Sequence, residues 1–512
     1  MTWRPCFILR IIQSDFSRMK VQSIVVLGAG SAGLMAAITL KKRLPHLQVR
    51  IVRSPDIGII GVGEGTTAVF PRHFFEYLKL KPQTFYAEAE PTWKLGIKFL
   101  WGPRSHFFYS FAFEYEKRLP ELARNNGFYY SEDFPWLGNA SAYMAHDKAF
   151  PRQPNGLPHF HNNHAFHIEN HKLAGWLEKR CRELAIPITD ATVQAERGPQ
   201  GIAALITETG ERIAADLFVD ASGFRSELLG RVLEVPFVRY TDSLFCDRAV
   251  IGGWQRTDEP IHPYTTAETM DAGWAWQIEH EHFINRGYVY SSNFISDEAA
   301  LQEHLRKNPK IPQDKTRVVK FRSGRYQKLW VNNVVGIGNS AGFVEPLEAT
   351  ALQVICVEVS SLADSLADSL CEPTSSLIDL YNRYNTAAWD DIRDFLAVHY
   401  KFNTRLDTPF WRAARNDTAL HKAGEIAGFY QENGPSVVAA SALLHPSNSF
   451  GIDGYLALLV GQNVPHGKPW MSPPQEQAFW RQRCQKLAAA AQTGMTVQEA
   501  LKAIRSPHLQ WN

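Results

Sequence analysis

The stretch that most limits what this chain can fold into is Ile24–Ala37, which reads IVVLGAGSAGLMAA. A β-branched run, Ile24 to Leu27, meets Gly28, Ala29, Gly30, Ser31, Ala32 and Gly33, and a helix-forming Leu/Met/Ala segment follows. Strand, glycine turn and helix start in that order make a dinucleotide pyrophosphate site. Gly28 permits the tight turn, Gly30 lets the backbone approach phosphate, and Gly33 lets the helix pack closely on the strand. The helix start then points unpaired N–H groups at the anion. The expected architecture is α/β, with a Rossmann βαβ unit near the start of the chain.

Val49–Arg53 reads as the second strand. About twenty residues past the last glycine a ribose-binding acid is usual, but Arg53 and Ser54 stand there. That leaves Ser54 or a backbone group to hold the ribose, and an arginine also suits a 2′-phosphate. A second glycine loop, Ile59–Thr67, carries Gly61, Gly63, Glu64 and Gly65 and is too rich in glycine for a strand interior. It reads as a cofactor edge or as a plain turn. Leu173–Leu184 reads as an amphipathic helix. Val193–Ile206 and Arg212–Val219 read as strands around a hairpin turn at Thr209-Gly210-Glu211. Asp216–Ser226 is a buried strand ending in a small-residue turn, the place where ligand-contacting loops lie in an open α/β sheet. Val334–Gly342 repeats the strand–glycine pattern, and the helix after it holds the tandem SLADSLAD of Ser361–Asp368.

At 512 residues the chain has room for two or three domains. Its 54 basic and 52 acidic residues nearly balance, which gives no reason to expect a nucleic-acid partner. No apolar run reaches the ~18 residues of a membrane-spanning helix. The six cysteines show no CxxC or metal spacing and suit reduced thiols in a cytoplasmic protein. Residues 1–19 read as a disordered extension or an over-called start, with Met19 as a second candidate start. An interleaved nucleotide domain is expected over 20–235 and 325–375. A sheet segment over 236–324 caps it, and a mainly helical region fills 376–512. Residues 117–160 read as irregular loop.

Pro91–Trp101 alternates polar and apolar residues and reads as one strand bearing Lys94 and Lys98. Lys94 lies among Trp93, Leu95, Ile97 and Phe99, surroundings that desolvate an amine and lower its pKa. A surface lysine is the plain alternative, and Lys98 has the same side-chain parity. Aromatics crowd Phe107–Tyr115, with Phe107, Tyr109 and Phe111 alternating. His159, His161, His164, His167 and His171 have spacings that suit zinc. No cysteine lies near them and Glu169 is the only close acid, so solvated or capping histidines are expected and no metal is assigned.

Taken in order, the glycine loop, Gly61-Val62-Gly63-Glu64, the Lys94 segment, Asp220–Ser226, Trp274-Ala275-Trp276-Gln277-Ile278 and Pro346-Leu347-Glu348 resemble the flavin-dependent tryptophan halogenases. The resemblance runs from about Val21 to Leu370. It implies a flavin-monooxygenase-like FAD-binding fold with a helical substrate-binding part. It also implies FAD delivered as FADH2 by a separate flavin reductase, with O2 and chloride or bromide as co-substrates. Hypohalous acid made at the flavin then reaches an electron-rich aromatic substrate of the indole or phenol type. By the same resemblance Lys94 directs the electrophile, by hydrogen bonding or as a haloamine, and Glu348 positions it and helps remove the ring proton. The backbone of Thr350 and Ala351 matches the halide site. Asn339 and Leu352 match flavin contacts, and Tyr109 and Phe111 match the pair that sandwiches the substrate ring. Three positions depart from the family pattern: Glu279 replaces a proline after the WxWxI element, Ala351 replaces a glycine, and Arg53 replaces the ribose-binding acid. Because the proline element keeps substrate away from flavin, Glu279 keeps a flavin monooxygenase open as the rival reading. A catalytically silent FAD-binding protein is a further one. The oligomeric state is not set, and a homodimer stays open.

Overall fold

A computed structural model describes residues 20–55, 63–111, 119–124, 126–130, 138–160, 164–436 and 440–506. The expected N-terminal extension, Ile59–Val62 of the second glycine loop, Phe113, Tyr115 and His161 lie outside the described residues. The glycine motif forms as its residues dictate. Ser23–Leu27 is a strand, and helix α1 (Ser31–Arg43) follows with Gly30 as its N-cap. This strand is central in a six-stranded sheet ordered Trp330–Val331, Val334–Gly336, Leu217–Asp220, Ser23–Leu27, Gln48–Arg53, Ile188–Asp190. All of its pairings are parallel except the edge pair Trp330–Val331 with Val334–Gly336. Parallel pairing buries both faces, and α1, helix α2 (Asn170–Glu183) and helix α3 (Ala351–Asp368) pack together over this sheet.

A seven-stranded sheet lies beside it, ordered Arg317–Lys320, Arg248–Gln255, Phe283–Tyr290, Gly273–Glu279, Tyr264–Met270, Gly96–Leu100, Phe107–Ser110. Trp274, Trp276, Tyr288 and Tyr290 are all buried. Helix α4 (Ser375–Phe402), started by the Thr374 side chain on the Leu377 N–H, lays a buried stripe from Tyr381 to Tyr400 against α3 and the aromatic core. Helix α5 (Gly451–Gly461) packs on α4 and on Phe107–Ser110.

Four local expectations change. Arg212–Val219 is not one strand but two, Arg212–Ile213 beside Gly201–Thr207 and Leu217–Asp220 in the six-stranded sheet. Pro91–Trp101 is two strands, Thr92–Lys94 and Gly96–Leu100, which belong to different sheets. The chain switches sheets at Leu95, whose N–H bonds the Pro263 carbonyl. At Gly96 a Cβ would meet the Tyr109 carbonyl oxygen at 2.1 Å, so only glycine admits the approach. Val193–Ile206 is a hairpin of Val193–Gly198 with Gly201–Thr207, turned by Pro199 and Gln200 and closed by Gly201 at φ +118°. The stretch 117–160 is not wholly irregular, since Asn139–Ala145 is a short helix.

Candidate functional site

A cleft of about 1170 Å³ opens at the carboxyl ends of the parallel strands, where such sheets place their ligands. Gly28, Ala29, Gly30, Ser31, Ala32, Ser54, Glu64, Asn339, Ala351 and Leu352 all line it. Gly28 has φ +112°, and a Cβ there would strike the Ala221 carbonyl oxygen at 2.3 Å. Gly33 lies behind the lining, where a Cβ would sit 1.9 Å from the Gly28 carbonyl oxygen; it is the contact of helix on turn. Gly30 has open space where its Cβ would be, on the cleft side. The first turn of α1 has neither a side-chain cap nor an acidic residue, so its N–H groups remain free for an anion. These features fit a dinucleotide pyrophosphate.

The wall opposite is built from residues distant in sequence. Arg53 does not offer its charge to the cleft, because its guanidinium donates to Glu178 and to Asp190, each at 2.6 Å. The Asp190 and Glu178 bonds raise its pKa against the opposing effect of burial. The 2′-phosphate reading of Arg53 therefore loses its basis. Glu178 and Asp190 also line the cleft. The Gly63 N–H donates to Asn170 Oδ1 at 2.9 Å, and Asn170 Nδ2 donates to Glu64 Oε1 at 3.0 Å, tying the second glycine loop to the start of α2. Asp220 collects the N–H groups of Ser222, Leu228 and Leu229 and thereby shapes the Asp220–Ser226 turn.

Lys94 is fully buried, and its Nζ has no hydrogen-bond partner among the described residues. Burial pushes its pKa down to about 7, with the charge of Glu348 acting in the opposite direction. Lys98 is on the other sheet, half-buried, with its ammonium 5.5 Å from the Tyr264 ring centroid. Glu348 is likewise buried, and burial raises its pKa against the pull of His399 and Lys94. Its Oε1 lies 2.8 Å from His399 Nε2, while Oε2 has no partner among the described residues. An unpaired buried ammonium and carboxylate oxygen are costly to stability, the mark of groups kept for chemistry. The aromatic side is close. Lys94 Nζ stands 4.9 Å from the Phe111 centroid, and Phe111 meets Tyr109 edge to face at 6.0 Å. Tyr109 reaches Phe395 at 6.0 Å, and Phe395 stacks on Phe450 at 3.8 Å. Tyr109 and Phe111 thus meet each other directly rather than across a gap.

Two short segments join this buried aromatic cluster to the cleft. In the strand Glu64–Gly65, Glu64 lines the cleft, while a Cβ on Gly65 would lie 3.2 Å from both Lys94 Nζ and Ala349 Cβ. On the other side Glu348 precedes Thr350, the N-cap of α3, and Ala351 and Leu352 line the cleft. Ala351 opens the helix and is absent from the residues of positive φ, so an alanine fits where the family pattern has glycine. The Tryptophan halogenase family model matches residues 23–473.

The chain belongs to the tryptophan halogenase family. It is 32% identical to the tryptophan 7-halogenase RebH of Lentzea aerocolonigenes, over 77% of this chain and 79% of that one. The tryptophan 7-halogenase KtzQ of Kutzneria sp. (strain 744) is 34% identical over the same shares. Among solved structures, MibH, a lanthipeptide tryptophan 5-halogenase, superposes with a TM-score of 0.86 and 34% identity over 96% of this chain and 95% of that one.

The family's proline position is filled here by a buried ion pair. Glu279 Oε2 accepts from Arg256 Nη2 at 2.5 Å and Oε1 accepts from Gln277 at 2.7 Å, with both charged side chains almost wholly buried. Arg256 also donates to the carbonyls of Glu259, Pro260 and His280, and Thr92 donates to the Glu279 carbonyl. The end of the WxWxI strand is therefore pinned by charge and hydrogen bonds instead of by a pyrrolidine ring. Arg256→Met is expected to lower unfolding free energy by ~3–5 kcal/mol, the cost of an uncompensated buried charge, measured by urea denaturation against wild type.

The histidine cluster is dispersed. His167 Nε2 bonds Thr265 Oγ1 at 2.8 Å, His164 packs edgewise on Phe166, and His171 is exposed beside Glu169. Among the described residues no group of three or more metal-ligating side chains forms. No helix there is long and apolar enough to cross a membrane. Two residues escape motif reasoning altogether. One is His399, on α4. The other is Glu358, on α3, whose buried carboxyl accepts the Gly338 N–H at 2.7 Å and Trp389 Nε1 at 2.9 Å, fixing the turn that carries Asn339. Burial raises the Glu358 pKa to about 8.

Proposed function

We propose that this protein is an FADH2-dependent halogenase of an electron-rich aromatic ring, with an indole as the preferred class. The observation that carries the reading is the pairing of Lys94 Nζ and Glu348 Oε2, both buried and unpartnered among the described residues, beside an aromatic cluster and within a few residues of the nucleotide cleft lining. FAD fits the cleft, with its pyrophosphate at Gly28–Gly33 and α1 and its ribose near Glu178, Asp190 or Ser54. When bound and reduced by a separate reductase, it supplies hypohalous acid from oxygen and halide. The N–H groups of Thr350 and Ala351 at the start of α3 hold the halide through the helix dipole.

Lys94 receives the electrophile and aims it at the ring. Its low pKa leaves a large neutral-amine fraction near neutrality, so it can carry the halogen as well as donate a hydrogen bond to it. Tyr109, Phe111, Phe395 and Phe450 supply flat apolar surface for an aromatic ring. Glu348 Oε2 then accepts the ring proton.

The test is mass spectrometry of products from purified protein with FAD, a flavin reductase, NADH, oxygen and bromide. The panel comprises indole, tryptophan, a tryptophan-containing peptide and a phenol. A bromine isotope doublet in any product is the expected result. Glu279 in the proline position favours the second reading, a monooxygenase, and a hydroxylated product free of bromine would establish it. FAD retention with no turnover of any substrate would favour a silent flavin binder.

A further inference from the structure

Glu348 does not stand alone. His399 Nδ1 lies 3.0 Å from the Phe395 carbonyl oxygen one helical turn earlier on α4, and its Nε2 lies 2.8 Å from Glu348 Oε1. A carbonyl oxygen accepts only, so Nδ1 carries a proton. In the neutral ring Nε2 is then an acceptor, and it faces a carboxylate oxygen that also accepts unless it is protonated. The contact therefore holds one shared proton, either as imidazolium with carboxylate or as imidazole with carboxylic acid. Both side chains are fully buried, and Oε2 has no hydrogen-bond partner among the described residues. The charged groups facing Glu348 are His399 from α4 and Lys94 from the strand Thr92–Lys94. Lys94 in turn acts on His167.

We propose that His399 is a positioning residue that works through Glu348, holding the shared proton on Oε1 or Nε2 so that Oε2 can take the proton leaving the aromatic ring. This rests on the halogenase reading above. The ring C–H bond breaks and its electron pair returns to the aromatic system. The proton forms a bond to Oε2, and where Oε1 carried the shared proton, that O–H bond breaks as N–H forms at Nε2. The end state is imidazolium beside carboxylic acid, which returns one proton to solvent before the next turnover. Without a basic partner, Glu348 would have to be ionised beforehand, at a position whose burial favours its neutral form.

Two variants and one spectrum test this. His399→Gln keeps a donor for Oε1 but cannot take up a proton, and His399→Phe removes both. In His399→Gln, bromination of indole at pH 7 should fall about 10²-fold, the scale of lost general acid–base assistance. FAD affinity and KM for indole should stay unchanged, and the acid limb of the kcat profile should move to higher pH. Ring-deuterated indole should react more slowly than unlabelled indole in both variants, with a larger isotope effect than in wild type. A uniform loss with the pH limb and the isotope effect unmoved would reduce His399 to a packing residue and overturn the proposal. Independently of turnover, ¹⁵N-histidine NMR of the full chain, with His399 assigned by its loss in His399→Gln, should show Nδ1 protonated and an Nε2 resonance moved by Glu348→Gln. An unprotonated Nδ1 would overturn it. If wild-type protein brominates nothing, the halogenase reading fails, and the NMR result still decides whether the pair shares its proton.

Discussion

Lys94→Ala is expected to remove bromination, by about 10³-fold or more given the scale of lost acid–base and electrostatic assistance, while leaving FAD binding intact. The reason is separation in space. Lys94 meets Gly65 and Phe111 and lies in the field of Glu348, and it is not among the residues lining the nucleotide cleft. Flavin fluorescence on titration with FAD, alongside product mass spectrometry, checks both halves, and unchanged product formation would sink the lysine role. The same lysine predicts a pH effect on stability. Its pKa in the fold, about 7, lies below its unfolded value of 10.5, so the unfolded chain binds more protons between those limits. Its penalty is present in full below pH 7 and fades as pH rises toward 10.5. Lys94→Met, which removes the charge and keeps the volume, should raise the denaturation midpoint at pH 6 and do so less at pH 9. In catalysis, a rate that climbs through pH 7 marks the neutral amine as the carrier, and a rate that falls marks the ammonium as a hydrogen-bond donor.

What could be read in the chain divides along the reach of the forces involved. Gly28, Gly30 and Gly33 were legible because turn, phosphate approach and helix packing are all settled within one strand and the turn after it. The Asp220–Ser226 turn was legible for the same reason, its carboxylate capping groups within nine residues. Lys94 was visible as an amine in apolar company, but Lys98 shared its parity. The separation of the two comes from the switch of sheets at Leu95, which depends on Tyr109 lying against Gly96. His399 and Glu358 gave no signal, because their partners Glu348 and Trp389 meet them only once α3 and α4 pack together. Arg53 misled for a related reason. Alone it suggests an added phosphate, and only the positions of Glu178 and Asp190 show that its charge is already matched.

Gly33→Ala and Gly30→Ala should part company sharply, although both change one glycine of one motif. A Cβ on Gly33 would lie 1.9 Å from the Gly28 carbonyl oxygen and 3.3 Å from Ala221 Cβ. The first contact is with backbone, which cannot swing aside as a side-chain tip can. α1 must therefore lift from the strand Ser23–Leu27, and the turn that shapes the phosphate cradle must open with it. Overpacking of a close-packed site costs ~1–3 kcal/mol and more where backbone must shift, so Gly33→Ala is placed at or above the upper end. Its melting temperature should fall by several degrees and FAD affinity should fall with it. At Gly30 the backbone has φ −72°, which any residue adopts, and nothing lies within 4 Å of where the methyl would go. Gly30→Ala should therefore melt as wild type does without FAD, yet bind FAD weakly, because the methyl takes up room that the pyrophosphate needs at the N-terminus of α1. Differential scanning fluorimetry with and without FAD reads both effects in one experiment. Equal melting temperatures with equal FAD-induced shifts for the two variants would show that the pyrophosphate does not lie against this turn.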